Sequence, residues 1–306
     1  MQAIEFSEHG GPEVLRLVEK PDVAPAQGEV AVAIHAASVN AADWKVRMGK
    51  SMADATLPHV LGRDFSGVVT EVGPGADLSV GDAVFAVCPR DTEGGYASRI
   101  VLPAGLVAAK PPTLSHEEAA AIALAGLTAM ISLEDTLKIQ PGEKVLIQGG
   151  AGGVGGMAVQ LAHALGARVI ATARAQNHDY VRGLGADEVI DYTLTDIKEA
   201  LGDCDAALDC VGPHTVRDTF GALRIGGRAA FIATGAEAPA PTRSGVTSLR
   251  PAVNRSRALM ERVAAHAAAG TFRPPVIETM PLSEARRAHE LSQDGHVRGK
   301  IVLIPG

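Results

Sequence analysis

The stretch KVLIQGGAGGVGGMAVQLAHALGARVIATAR, residues 144–174, reads as strand, glycine-rich turn, helix and second strand, the succession a nucleotide-binding βαβ unit needs. The apolar run Lys144–Gln148 enters a G-x-G-x-x-G at Gly150, Gly152 and Gly155. In such a turn the first glycine permits the tight bend, the second lets backbone approach a pyrophosphate, and the third lets helix pack against strand. Gly153 and Val154 complete the loop, and the N–H groups of a helix starting near Gly155 are placed to carry phosphate charge. A glycine run alone also occurs where chains merely pack closely. Here the setting is more specific: helix Met157–Leu165 ends at Gly166, and Ala167–Thr172 is rich in β formers.

The end of the second strand bears on which dinucleotide is bound, because an acid there bonds a ribose 2′-hydroxyl whereas a cation accepts a 2′-phosphate. The chain reads Thr172-Ala173-Arg174-Ala175-Gln176-Asn177-His178, with no acid before Asp179. Arg174 stands where the phosphate would lie, although arginine is usually a solvated surface residue. With Thr172 beside it, the pattern favours NADP over NAD.

At 306 residues and 46% hydrophobic content, with a mean hydropathy of +0.13, the chain is long and apolar enough for two cores. A net charge of −7 and no run of basic residues argue against a nucleic acid or anionic membrane partner. The longest uncharged apolar stretch, Ala119–Leu133, is 15 residues and reads as a buried helix, and the N-terminus shows no signal peptide, so a soluble cytoplasmic protein is expected. Cys88, Cys204 and Cys210 are the only cysteines and form no C-x-x-C, while the ten histidines lack H-x-x-x-H spacing. No disulfide framework or metal site is expected.

The chain divides by pattern. Up to residue 114, short β-rich runs (Val30–Ala36, Gly67–Val72, Ala83–Val87, Ala97–Leu102) alternate with Gly/Pro turns, which reads as a β-barrel-like domain. Ser115-His116-Glu117-Glu118 then resembles a capping sequence for a helix to about Leu124, followed by a second helix, Leu127–Leu137. Strands at 187–192, 206–210 and 228–233 join the first two in a five-stranded, doubly wound parallel sheet. A loop or short edge strand near 245–248 and helix 254–269 follow. Strand 276–280, helix 283–292 and strand 299–304 end the chain.

The segments SVNAADWKVRMG (38–49), LGRDFSGVVTEVG (61–73), VGDAVFA (80–86), EGGYAS (93–98), GLTA (126–129), PGEKVLIQGGAGGVG (141–155), LGADEVIDY (184–192) and HVRGKIVL (296–303), in this order, resemble the zinc-independent quinone oxidoreductase branch of the medium-chain dehydrogenase/reductase superfamily. The resemblance spans nearly the whole chain. It implies an α/β protein with a GroES-like β-barrel catalytic domain at 1–114 and 271–306, and a Rossmann NADP-binding domain at 115–270. In zinc-dependent alcohol dehydrogenases of that superfamily a cysteine occupies the region of Asn40 and a four-cysteine lobe follows the region near Gly95. This chain has neither, so the resemblance implies a metal-free reductase that transfers a hydride from NADPH to a quinone or an α,β-unsaturated carbonyl.

Hydride transfer needs orientation and a donor for the developing oxyanion rather than a protein nucleophile. Asn40 matches the family's asparagine and is a candidate donor, or else a local turn residue. Lys45 offers a cation near the carbonyl, although some quinone reductases carry tyrosine at the matching position, and a solvated lysine is the alternative. Trp44, the single tryptophan, can stack on a planar substrate or join the core. Thr128 matches a threonine near the nicotinamide, and Tyr192 a tyrosine beside the adenosine phosphate. Val211, at the carboxyl edge of the fourth strand, is expected at the cofactor; Arg298 and Lys300 in HVRGKIVL are expected either to reach the cofactor from the catalytic domain or only to cap the last strand.

Loops 44–57 and 236–253 are expected to wall the substrate. The rival readings are an enoyl-thioester reductase, in which Arg243, Arg250 and Arg255 would grip a carrier phosphate, and a cofactor-binding relative without turnover. A homodimer pairing sheet edges is implied by the resemblance.

Overall fold

The computed structural model describes residues 1–52 and 55–306, so residues 53 and 54 of the expected substrate-walling loop lie outside the described residues. The chain begins with β1 (Gln2–Phe6), β2 (Arg16–Glu19), β3 (Glu29–Ser38), α1 (Ala41–Arg47), β4 (His59–Val60), β5 (Asp64–Val72), β6 (Ala83–Val87), β7 (Arg99–Pro103) and β8 (Val107–Ala109). Helix α2 (His116–Met130) leads to β9 (Lys144–Gln148), α3 (Gly153–Ala164), β10 (Arg168–Thr172), α4 (His178–Leu184), β11 (Glu188–Ile190), α5 (Ile197–Ala200), β12 (Cys204–Asp209), α6 (Val216–Gly221), β13 (Leu223–Phe231) and β14 (Thr247–Leu249). It closes with α7 (Arg257–Ala268), β15 (Ile277–Pro281), α8 (Ala285–Asp294) and β16 (Lys300–Ile304).

Two compact units result. The first comprises residues 1–124, 254–269 and 274–306; the second comprises 125–253 and 270–273. These bounds differ from the expected 115–270 nucleotide domain chiefly at α7, which belongs to the first unit. The reason is local: Arg257 donates to the carbonyls of Ala104 (2.7 Å) and Val107 (2.8 Å) and pairs with Asp77.

In the first unit β15-β16-β3-β5-β6-β8, with β7 on β3, form a seven-stranded sheet, and β2-β1-β4 a three-stranded one. The final strand inserts by pairing antiparallel with β3 (Val302 opposite Ser38) and parallel with β15. Phe6, Leu61, Phe65, Tyr96 and Leu102 fill the core between the sheets.

The two helices expected on either side of Gly126 are one. The run is buried almost throughout, so packing overrides the weak helix propensity of glycine. It continues past Met130 as a π-helical segment, Ile131–Leu137, and stops at Lys138, whose φ is 53°. With that extension the helix has the length and composition of a membrane span, but 83% of the relevant window is buried inside the protein, as in a core helix. Its start is the expected capping box: Glu118 accepts from the Ser115 N–H (2.8 Å) and the Ser115 hydroxyl accepts from that of Glu118 (3.2 Å).

The second unit is a parallel sheet in the order β11-β10-β9-β12-β13-β14. It has six strands rather than five, because the short edge strand pairs with β13 through Thr247–Leu249. The order reverses between β9 and β12, the crevice where dinucleotides bind in doubly wound folds. Strand and helix meet closely at Gly155, where an added Cβ would lie 2.1 Å from the Gly149 carbonyl oxygen. Gly155→Ala should therefore lower the melting temperature by several degrees, about 1–3 kcal/mol of overpacking, measurable by calorimetry.

His116 supplies a second test. The Ser66 hydroxyl donates to the Val84 carbonyl (2.8 Å), so its 2.8 Å contact with His116 Nδ1 takes an N–H from the ring. Burial, then His35 and Lys110, push the ring's pKa down to about 4. Between the unfolded value near 6.5 and this folded value the unfolded chain binds the extra proton, so stability drains away as pH falls through that window. His116→Asn, which keeps the donor to Ser66, should flatten the dependence of melting temperature on pH between about 6.5 and 4.

Candidate active site

In the second unit Gly149 leaves β9 with φ 78° and turns the chain into α3, whose N-cap is Gly152. No side chain caps this helix, so its first amides have no side-chain acceptor, the arrangement that favours an anion at a helix N-terminus. Gly150, Gly152, Gly153, Val154 and Gly155 all fall in this turn. A Cβ on Gly150 would meet Ala171 Cβ at 2.8 Å, whereas at Gly152 the nearest contact is 3.5 Å, an ordinary van der Waals distance.

Thr172 lies beneath the loop rather than lining it. Its hydroxyl accepts from the Gly149 N–H (3.0 Å) and donates to Gln148 Oε1 (2.8 Å), with the residue 1% exposed. Gln148 Nε2 reaches Thr219 Oγ1 at 3.5 Å, and Thr219 donates to Asp209 Oδ2 at 2.9 Å. Asp209 also accepts from the N–H groups of Val211 (2.9 Å) and Gly212 (3.0 Å) and from the Thr215 hydroxyl (2.7 Å). A polar thread thus runs under the carboxyl edge of β10, β9 and β12 and fixes the glycine loop and the Val211 loop together. Gln148 and Asp209 were missed from sequence; the available signal was a polar residue ending each of two apolar strands.

At the end of β10, Arg174 Nε donates to the Tyr192 hydroxyl (3.1 Å), with Tyr192 46% exposed. Asp191 reaches the same corner, accepting from the amide of Ala175, the residue after Arg174 (3.0 Å), and from that of Thr193 in its own loop (2.9 Å). The corner at the end of β10 thus holds the Arg174 guanidinium, the Tyr192 hydroxyl and the Asp191 carboxylate. Thr128 is buried in α2, where its carbonyl accepts from the Ser132 hydroxyl (2.6 Å).

In the first unit Asn40 is the N-cap of α1. Its Nδ2 donates to Asp64 Oδ1 (2.9 Å) and the Ser38 carbonyl (3.2 Å), and its Oδ1 accepts from Lys300 Nζ (2.6 Å). With both amide hydrogens and the oxygen engaged, Asn40 holds the loop and has no donor left for a substrate oxygen. Lys300, expected at the cofactor, is instead 5% exposed and also donates to the Val39 carbonyl (2.8 Å). Burial lowers its pKa, opposed by Asp64, while burial raises that of Asp64, opposed by Lys300. Arg298, two residues earlier, is exposed. Trp44 and Lys45 follow on α1, with the Lys45 ammonium 5.5 Å from the indole centroid and the Lys50 ammonium 6.0 Å from it. The Trp44 Nε1 atom is buried without a hydrogen-bond partner.

Behind α1 lies a charged cluster that sequence spacing did not reveal, although its members fall in three of the quoted motifs or close to them. Asp43 accepts from the Asn40 N–H (2.9 Å) and the Tyr96 hydroxyl (2.8 Å), and stands 3.5 Å from Arg63. Arg63 Nε is 2.7 Å from Glu93 Oε1, and Glu93 Oε2 is 3.5 Å from His59 Nε2. Burial, then Glu93, raise the Asp43 pKa to about 7 against the opposing pull of Arg63.

Arg243, Arg250 and Arg255 each donate to a backbone carbonyl, those of Leu223, Phe231 and Cys88. Among the described residues no three His, Cys, Asp or Glu side chains gather as a metal site.

This combination of a barrel unit, a doubly wound unit and an uncapped glycine turn defines a medium-chain dehydrogenase/reductase. Residues 26–112 match the family model of the alcohol dehydrogenase GroES-like domain, and residues 184–303 that of the zinc-binding dehydrogenases. The chain is 33% identical to the quinone oxidoreductase of Salmonella typhimurium, over 99% of both chains. It is 34% identical to the chloroplastic NADPH-dependent alkenal/one oxidoreductase of Arabidopsis thaliana, over 100% of this chain and 80% of that one. The structure of Escherichia coli quinone oxidoreductase complexed with NADPH superposes with a TM-score of 0.91 at 32% identity, covering 100% of each chain. The chain belongs to the quinone oxidoreductase branch of the medium-chain dehydrogenase/reductase superfamily.

The Lys300–Asn40–Asp64 network invites a direct test. Lys300→Met should destabilise the protein by about 3–5 kcal/mol, because it leaves a buried carboxylate without its cation. Adding Asp64→Asn should recover part of the loss in urea unfolding.

Proposed function

We propose that this protein is an NADPH-dependent, zinc-independent reductase of quinones or of the carbon–carbon double bond of α,β-unsaturated carbonyls. The observation that carries the reading is the uncapped α3 terminus combined with the Arg174–Tyr192 pair at the end of β10, an anion cradle and a second cationic corner on one sheet edge. The names of the relatives from Salmonella, Arabidopsis and Escherichia coli support the same chemistry. Zinc independence is supported by the chain having only three cysteines, none in a C-x-x-C.

Bound on the glycine loop, NADPH supplies a hydride. The residues of this chain provide position and charge. The α3 amides hold the pyrophosphate, Arg174 and Tyr192 select the 2′-phosphate, and Val211, held by Asp209, borders the crevice. On the substrate side, hydride addition at the β-carbon of an enone places negative charge on its carbonyl oxygen, and reduction of a quinone places it on a ring oxygen. With Asn40 occupied by Lys300 and Asp64, the donor on α1 without a hydrogen-bond partner is the Trp44 indole N–H, and the Lys45 ammonium beside the indole adds positive charge at the same turn. The indole face also offers a planar surface for the acceptor. We further propose a cytoplasmic homodimer joined along the β14 edge of the parallel sheet.

NADPH oxidation should be followed with a 1,4-quinone, a short enone and a crotonyl thioester in parallel, with NADH as the cofactor control. Turnover of the quinone or enone is expected; turnover of the thioester alone would replace the reading with an enoyl-thioester reductase. Silence on all three, together with tight NADPH binding, would identify a relative without turnover. Arg174→Ala should raise the KM for NADPH by about 10–100-fold while leaving that for NADH nearly unchanged. Equal loss with both cofactors would remove Arg174 from the 2′-phosphate site.

A further inference from the structure

Two carboxylates share one guanidinium behind α1. The Glu93 side chain has 0% exposure, its oxygens have no hydrogen-bond partner, and neither does Asp43 Oδ1. Glu93 is held there with φ 46°, a left-handed conformation costly for a residue other than glycine. Arg63 Nε lies 2.7 Å from one carboxylate and 3.5 Å from the other, too far to hydrogen-bond Asp43. Two carboxylates around one guanidinium in a buried site repel each other, an arrangement that a proton relieves.

We propose that Asp43, Glu93 and His59, gathered around Arg63, form a single proton-holding centre whose charge sets the seating of α1 on the barrel. The proton sits on Asp43 Oδ1, the carboxylate oxygen without a hydrogen-bond partner.

The surroundings direct hydrogen bonds onto Asp43 without competing for its proton. Tyr96 gives its hydrogen to Asp43, so at the 3.3 Å contact His289 Nε2 donates to the Tyr96 oxygen, and His289 Nδ1 accepts from Arg47 at 3.1 Å. Burial, then Arg47, push His289 down to about 3, so it stays neutral. Arg47 is anchored on the Gly10 carbonyl (3.1 Å) and Gln293 (2.8 Å). From the other elements, Arg255 acts on Glu93 at longer range and bonds the Cys88 carbonyl, burial raises the Cys88 thiol, and Lys300 acts on Asp43 from β16. His9, 3.2 Å from the Arg47 carbonyl, is the titratable group packed on the far end of α1.

Loss of the proton leaves Asp43 and Glu93 both charged around one guanidinium, and the repulsion acts on the first turn of α1. Trp44 is the next residue and the chain's single tryptophan, so its fluorescence reports that turn without substrate or cofactor.

The experiment is a fluorescence titration of the full-length protein from about pH 5.5 to about 8.5, a range free of ordinary carboxylate and lysine titrations. One transition near neutrality is expected. Asp43→Asn and Glu93→Gln should each abolish it or move it by more than about one pH unit, and His9→Gln should leave it in place. Far-ultraviolet circular dichroism checks that each variant folds; should Asp43→Asn not fold, Glu93→Gln and His59→Asn decide. A flat wild-type titration would overturn the proposal. So would a transition that survives in the folded centre variants, or one that disappears with His9.

Discussion

A buried carboxylate with no access to water must find its donors inside the protein, and in this chain Asp64 is that carboxylate. It takes a hydrogen bond from the Ser38 hydroxyl (2.8 Å) at the end of β3, from the Asn40 amide (2.9 Å) at the cap of α1 and from the Leu124 N–H (3.0 Å) on α2. Its nearby cation, Lys300, comes from the last strand and reaches it through Asn40. Four elements far apart in sequence are therefore held to one atom group, and the cost of leaving any part unpaired falls on all of them. This is why the chain must return to its first unit before it ends: β16 brings the countercharge.

The two units meet the problem of buried polarity differently. In the parallel sheet the thread from Gly149 through Thr172, Gln148 and Thr219 to Asp209 is mostly neutral, and the carboxylate at its end accepts four donors. Such a thread ties the glycine loop and the Val211 loop to one another through hydrogen bonds. In the barrel unit the buried groups are ionic and incompletely paired, with Glu93 and Asp43 as the extreme cases. Incomplete pairing leaves electrostatic repulsion between Asp43 and Glu93 that a single proton would relieve.

What the sequence revealed follows from how local each interaction is. The glycine turn, the capping box at Ser115 and the missing acid after Thr172 are each decided within a few residues, and each reads directly. Helix α2 was misread at Gly126 because its continuity comes from burial on all sides, which no local propensity reports. The membership of α7 was misplaced for a similar reason, since it is set by Arg257 reaching carbonyls more than a hundred residues away. Asn40 was expected to be a donor or a turn residue and Lys300 a cofactor contact or a cap of the last strand, and the two are bonded to each other.

That mutual occupation bears on how a carbonyl would be polarised. An asparagine whose amide is fixed from three sides offers rigidity to α1 rather than a hydrogen bond to a ligand, and the rigidity is passed to the adjacent turn carrying Asp43, Trp44 and Lys45. In the proposed reaction the donors must be preorganised before charge develops, since reorganising them during the step would add to the barrier. An N-cap locked by Asp64 and Lys300 meets that requirement by steric and electrostatic means, and the residues that would touch substrate are then placed by groups that never do. The same cap donates its backbone N–H to Asp43 at 2.9 Å, so the network that fixes the loop and the cluster that can alter its charge share a single residue. Any movement of α1 driven by protonation must therefore begin at the turn just beyond Asn40, where the restraint of the first network ends and that of the second begins.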